Sequence, residues 1–301
     1  MEIHIRSQIE YEKIIPNDWP HAIQCTRSRM CVQQLLDSQD SHTHLKKRLF
    51  EYIAHTDIMF NHMAQNPTGS LRFQPTFEWT IDDQLIQSSC WRIENILPRL
   101  SLTRILTHEA YDQLESETYK EANKVFVETN KYHLEIQHQL ENWKWKIQTL
   151  NHDELQSDWH ESRRHFLEGL QQLCTLCVGV QNQVNTKVLY TVSQRALKCF
   201  ALSVGGWHNS EAVHFLPLAD CLRHYFSADL LWSEEKYGHS IYRLEKWCTN
   251  KDISCGKFKA LQVELEKVPF LLQERNHINN GAYFEPIESA EPLPSTLEIM
   301  K

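Results

Sequence analysis

Between residues 84 and 275, apolar side chains return every three or four positions, and only short breaks interrupt them. That spacing lays one stripe along a helix, whereas a strand would need apolar residues at every second position. With 8 glycines and 10 prolines in 301 residues, the chain also holds little turn material for a many-stranded sheet. A mainly α fold is therefore expected. The periodicity places helices at about 21–37, 41–64, 84–117, 119–149, 152–185, 187–204, 211–249 and 256–275.

One stretch keeps a different period. Leu71, Phe73, Phe77, Trp79 and Ile81 share one parity, with Arg72, Gln74, Thr76, Glu78 and Thr80 between them. This predicts a half-buried strand over about 71–81, and Pro75 predicts that it is an edge or bulged strand. Asn66-Pro67-Thr68-Gly69 separates it from the preceding helix, and Asp82-Asp83 reads as the cap of the following one, which Pro98 interrupts. The first 20 residues read as irregular or as a short edge strand, and Asn279 to Lys301 as a Pro-rich extended tail. No composition shift and no regular 34-residue repeat divides the chain. The expectation is one elongated helical domain over residues 1–301 with a small N-terminal β element.

Composition narrows the function classes. A formal charge of −8 lacks the basic footprint of a dedicated nucleic-acid binder. No apolar run reaches about 18 residues, so no membrane span is expected. Met1-Glu2-Ile3-His4-Ile5-Arg6 lacks a signal-peptide core, and no prenylation box closes the sequence. Nine dispersed cysteines without an export signal read as reduced thiols in a cytoplasmic protein.

The string Lys236-Tyr237-Gly238-His239-Ser240-Ile241-Tyr242-Arg243-Leu244-Glu245-Lys246-Trp247 is the most specific in the chain. Tyr237, Ile241 and Leu244 form one helical stripe, and Gly238 within it costs a helix interior about 1 kcal/mol relative to alanine. A glycine there predicts close approach of another backbone. Four segments, in order, resemble the BRO domain: Phe73-Gln74-Pro75-Thr76-Phe77-Glu78-Trp79, Ser88 to Leu97 with Glu94, Leu173 to Val192, and the Tyr237-Gly238 helix. Glu274-Arg275-Asn276 followed by Tyr283-Phe284-Glu285-Pro286-Ile287 resembles the segment that packs back along that domain. The Phe-Glu-Trp string and the Phe-x-Pro-Ile segment are most similar to the PalC-like branch of the family, which acts in fungal ambient-pH signalling. The absence of a coiled arm and proline-rich region after the domain points the same way.

The resemblance implies a BRO fold with TPR-like helix packing and a non-catalytic adaptor without cofactors. Its implied partners are the C-terminal amphipathic helix of a filament-forming ESCRT-III subunit and components of pH signalling. Recruitment to endosomes or the plasma-membrane cortex would run through those partners. A groove for such a helix needs apolar residues one turn apart. Val184, Val188 and Val192 form such a row with Leu189 alongside, and Ile241 and Leu244 are further candidates. Each of these reads either as groove wall or as ordinary core. The alternative function within the family is general endosomal cargo sorting without a pH role.

Other classes find less support. Glu135…His138 and Glu211…His214 have the Glu-x-x-His spacing of helical di-iron enzymes. With 27 glutamates and 17 histidines in the chain, however, such pairs are unremarkable. Cys174-Thr175-Leu176-Cys177 has no second pair to complete a zinc site and lies in an apolar helical run. His42 and His44 have no further ligands at metal spacing. No phosphate loop, nucleophile elbow or HExxH motif occurs. A TPR-type scaffold would share much of the fold but capture an extended peptide instead.

Overall fold

The computed structural model describes residues 3–14, 22–38, 42–65, 75–142, 152–207, 210–248 and 253–287. The chain divides into two compact units, Met1–Leu106 with Glu135–Ser157, and Thr107–Leu134 with Asp158–Lys301.

The first unit holds a three-stranded antiparallel sheet of β1 (Ile3–Ile5), β2 (Phe77–Ile81) and β3 (Gln84–Ser88), in the order β1-β2-β3. Ile5, Trp79 and Ile86 stand side by side on its buried face. Three expectations change here. Of the strand expected over 71–81, Phe77–Ile81 forms it, Pro75 and Thr76 precede it, and Leu71 and Phe73 lie outside the described residues. It is the central strand and not an edge, because Pro75 precedes the ladder and removes no hydrogen bond from it. Asp82-Asp83 caps no helix. Both residues are left-handed, at φ 48° and 67°, and form the two-residue turn of a β2–β3 hairpin. Aspartate tolerates that region better than most residues, which lets the turn form without glycine.

Helices α1 (Tyr11–Ile14), α2 (Ala22–Ser38), α3 (His42–Gln65) and the first part of α4 (Ile93–Glu115) complete the unit. Pro98 lies inside α4 without ending it. At the centre is Glu94, 1% exposed, whose two oxygens receive five hydrogen bonds. Arg29 donates from Nε at 2.9 Å and from Nη2 at 3.2 Å, and the Tyr11 hydroxyl from 2.7 Å. The Trp79 indole donates from 2.5 Å, and the Tyr52 hydroxyl also donates. Burial alone would push the Glu94 carboxyl up. The Arg29 charge and the bonds from Arg29, Tyr52 and Trp79 outweigh it and hold the carboxyl below its usual range. A second buried arginine, Arg99, spans Asp57 at 2.7 and 2.8 Å and Glu135 at 2.9 Å. Glu135 is therefore committed to an ion pair.

In the second unit, the end of α4 from Thr107, α5 (Tyr119–Glu141) as far as Leu134, α6 (Ser157–Gln181) from Asp158, α7 (Thr186–Gly206), α8 (Ser210–Ser233), α9 (Tyr237–Cys248), α10 (Lys259–Leu265) and α11 (Val268–Ile278) surround one apolar core. Phe166, Leu173, Phe200, Leu222, Leu244 and Leu261 lie in it, fully buried. Cys174 and Cys177 are core residues too, and burial pushes the Cys174 thiol up to about 12. Two buried imidazoles join α5 to α6, with His133 Nδ1 and His160 Nδ1 2.9 Å apart. Burial first, then the neighbouring His160, pushes the pKa of His133 well below the ordinary histidine value.

The expected helix over 211–249 is two helices. At the end of α8, Glu235 takes φ 61°, its N–H bonds Trp232 O at 3.2 Å, and Lys236 N–H bonds Leu231 O at 2.9 Å. This is a Schellman stop. Glu117 ends α4 and Gln183 ends α6 in the same way, at φ 57° and 52°. A left-handed residue bearing a side chain costs about 1–2 kcal/mol, part of which glycine recovers. Glu235→Gly is therefore expected to raise Tm by about 1–3 °C in a thermal melt, and Glu235→Ala to leave it unchanged or lower.

Candidate partner-binding site

The turn between α6 and α7 sets the candidate residues in place. Gln183 reverses the chain, and Val184 N–H bonds Gly179 O at 2.9 Å. Asn185 then caps α7 by accepting from Lys187 N–H at 2.8 Å. Leu189 packs onto Gly179, where a Cβ would stand 2.6 Å from its Cδ2, so the absent side chain is what admits it.

The six candidate residues separate by exposure. Val188 is 50% and Val184 38% exposed, while Val192 at 9% and Leu189 at 7% turn toward the core. Ile241 and Leu244 are at 0%, inside the cluster formed with Leu222 and Phe226. They cannot meet a partner without unfolding α9. Val184 belongs to the turn, so the helical row on α7 begins at Val188. Spacing alone does not tell these valines apart from the buried stripe. The exposed positions around them, Lys187, Thr191, Arg195 and Lys198, escape a reading that follows the apolar pattern and not its polar complement. Val188 thus sits on a surface lined by three basic side chains.

The Tyr237-Gly238 helix serves a different end. Gly238 lies in the first turn of α9, not its interior, and meets the chain that follows α11. A Cβ there would stand 2.0 Å from Pro286 O, which fulfils the expected close approach of a backbone. The helix continues past α11 as a π turn over Asn279–Tyr283, so the extended course starts at Phe284 and not at Asn279. Residues 288–301 lie outside the described residues. Asn279 clamps the backbone of Glu285, donating to its carbonyl at 2.7 Å and accepting from its N–H at 3.1 Å. The Glu285 carboxylate then accepts from Gly238 N–H at 2.5 Å and caps α9 from outside, where the helix dipole favours an anion. Tyr283 stacks on Tyr237 with ring centroids 3.9 Å apart. Below this strap, Arg275 donates to Ser240 Oγ at 2.8 Å, pairs with Asp229 and lies over the Trp232 ring.

Glu211 pairs with Arg163 at 3.2 Å. Among the described residues, no group of three His, Cys, Asp or Glu side chains is arranged to hold a metal ion. Among the described residues, no helix is long and apolar enough to cross a membrane.

No protein-family model matches the chain, and no curated protein matches it in sequence. The likeness lies in the fold. ALIX in complex with the SIVmac239 PYKEVTEDL late domain superposes with a TM-score of 0.75 at 12% identity, over 98% of this chain and 46% of that one. The ALIX BRO1–CHMP4C complex gives 0.73 at 12% identity, covering 98% and 91% of the two chains. A Bro1 domain solved as the structural basis of endosomal targeting gives 0.67 at 13% identity, covering 96% and 87%. The chain thus spans less than half of the longer ALIX structure and nearly all of the BRO1 domain in the CHMP4C complex. Its fold is that of a BRO domain: mainly helical, with a small antiparallel sheet.

Proposed function

We propose that the chain is a non-catalytic adaptor that binds the C-terminal amphipathic helix of a filament-forming ESCRT-III subunit. One observation carries this reading: a half-exposed Val188, flanked by Val184, stands on α7 of a BRO fold, a fold solved elsewhere in complex with CHMP4C. An amphipathic helix is recognised by apolar contacts one turn apart. Val184 and Val188, with the edge of Val192, supply that contact here. Ile241 and Leu244 take no part, because both are core. Burying two or three such side chains yields about 3–8 kcal/mol gross, from which ordering and association costs are subtracted. Micromolar affinity follows, raised by avidity along a filament.

Within this role, the PalC-like Phe77-Glu78-Trp79 and Phe284-x-Pro286-Ile287 strings favour ambient-pH signalling over general cargo sorting. Recruitment to endosomes or the cell cortex would then follow from the partner.

The test is a fluorescence-polarisation titration of the purified chain with the C-terminal helix peptide of the host's filament-forming ESCRT-III subunit. Wild type is expected to bind in the micromolar range. Val188→Asp should weaken binding at least tenfold with an unchanged circular dichroism spectrum, since a half-exposed site tolerates the charge in the free protein. Absence of binding by folded wild type would refute the adaptor mechanism. In the host, loss of the alkaline-pH response by Val188→Asp with intact cargo sorting would separate the signalling role from the sorting role.

A further inference from the structure

Among the described residues, no strand pairs with the outer side of β3, the edge of the sheet. In the two-residue hairpin, Ile81–Gln84, Trp79–Ile86 and Phe77–Ser88 are the hydrogen-bonded pairs, so the N–H and C=O groups of Leu85 and Gln87 point away from β2. No hydrogen bond within the described residues takes up those four groups. Native sheets blunt such an edge with lysine, proline, a bulge or a covering element. The segment Gln84-Leu85-Ile86-Gln87-Ser88 contains no charge and no proline, and it pairs with β2 in unbroken register. Leu85 is 54% exposed beside it. The opposite edge differs. β1 has three residues, and α2 packs against it.

The charge at this edge is one-sided. Asp82 is held by Arg104 at 3.2 Å, but the neighbouring Asp83 is exposed at the turn, and Glu78 stands beside Gln87, whose amide donates to it at 2.7 Å. No cation lies within Phe77–Ser88.

We propose that the outer edge of β3 is a strand-addition site for an extended segment of a partner protein. The segment lies antiparallel to β3, continuing the sheet's own ladder. An uncharged β-branched or aromatic residue stands opposite Leu85, where it covers that side chain, and a lysine or arginine two positions later reaches Asp83. Backbone bonds to Leu85 and Gln87 supply the affinity, and the two side-chain contacts supply the selection. Four main-chain bonds over so short an edge make the contact weak and fast to exchange.

The probe is a synthetic eight-residue peptide of threonines, with valine at its centre and lysine two residues after it. Binding to the full 15N-labelled chain is followed through its backbone amide signals. The expected result is that the amides of Leu85 and Gln87 shift and gain protection from exchange. N-methylation of the peptide's valine amide should weaken binding at least tenfold. Lysine replaced by glutamate in the peptide, or Asp83→Asn in the protein, should weaken it several-fold. Equal binding of the N-methylated peptide, or signal changes mapping elsewhere, would overturn the proposal. So would Leu85 and Gln87 amides already as slow to exchange in the free chain as those of Trp79, since the edge would then be occupied. Concentration-dependent self-association that protects the same two amides would give the edge to a second copy instead.

Discussion

Glu94→Gln is expected to cost the first unit about 3–5 kcal/mol, the usual consequence of removing one partner from a buried ion pair. Two costs act together. The substitution keeps the shape of the side chain but leaves the Arg29 guanidinium, 1% exposed, without its counter-charge. It also replaces one of the two acceptor oxygens with an NH2 group, which must face either the Tyr11 and Tyr52 hydroxyls at the Oε2 position or the Trp79 indole N–H at the Oε1 position. Whole-protein stabilities are only about 5–15 kcal/mol, so a loss of this size should be visible as an early urea transition. Arg29→Met combined with Glu94→Gln should cost less than the two single changes added together, because the second change no longer strands a buried charge. Additive costs would show that the pair is not coupled.

The same carboxylate gives a pH signature. Its folded-state pKa lies below the ordinary carboxyl value of 4.5, so the folded state binds fewer protons than the unfolded chain. That contribution is complete above the unfolded value and is lost as pH falls through the folded one. Wild type should therefore lose stability progressively below about pH 4.5, and the Glu94→Gln variant should lack this component. Urea midpoints collected across that range measure the difference.

Gly238→Ala is expected to be the second large effect, and it sets two forces against each other. Helix propensity favours alanine by up to about 1 kcal/mol. Against it, the new Cβ would stand 2.0 Å from Pro286 O and 2.9 Å from Pro286 C, both backbone atoms of the strap. The strap must move, which disrupts the Glu285 cap and the stacking of Tyr283 on Tyr237. A cap contributes about 0.5–2 kcal/mol and an aromatic pair about 0.5–1.5 kcal/mol, so the contacts outweigh the propensity. The variant should be destabilised by about 1–3 kcal/mol and should be cut faster by protease within 279–287. A more stable variant would show that the strap does not rest on α9 in solution.

Helix-rich architecture was legible from the sequence because amphipathic periodicity needs no knowledge of what lies opposite. Gly238 was legible for a related reason: a glycine in an apolar helical stripe is costly unless a backbone needs the space. What escaped was punctuation. Asp82-Asp83 turned a hairpin without glycine, and Glu117, Gln183 and Glu235 each ended a helix in the left-handed conformation that glycine usually takes. Residue preferences at such positions differ by only about 1–2 kcal/mol, and packing around the turn overrode them. The candidate surface was half legible. Ile241 and Val188 carry similar side chains at similar spacing, and only the neighbours supplied by distant parts of the chain bury one and expose the other.

The Glu94 network also bears on the order in which the chain can become structured. Its donors are spread over Tyr11, Arg29, Tyr52 and Trp79, at separations from the acceptor of up to 83 residues. During synthesis all four are made before the one group that neutralises and satisfies them. Until Glu94 follows, an arginine, two phenols and an indole have no shared acceptor, and closing them into a core would strand a cation in it. The N-terminal helices should therefore remain unconsolidated as the chain emerges, and then close together once α4 begins, with the slow kinetics of long-range contacts.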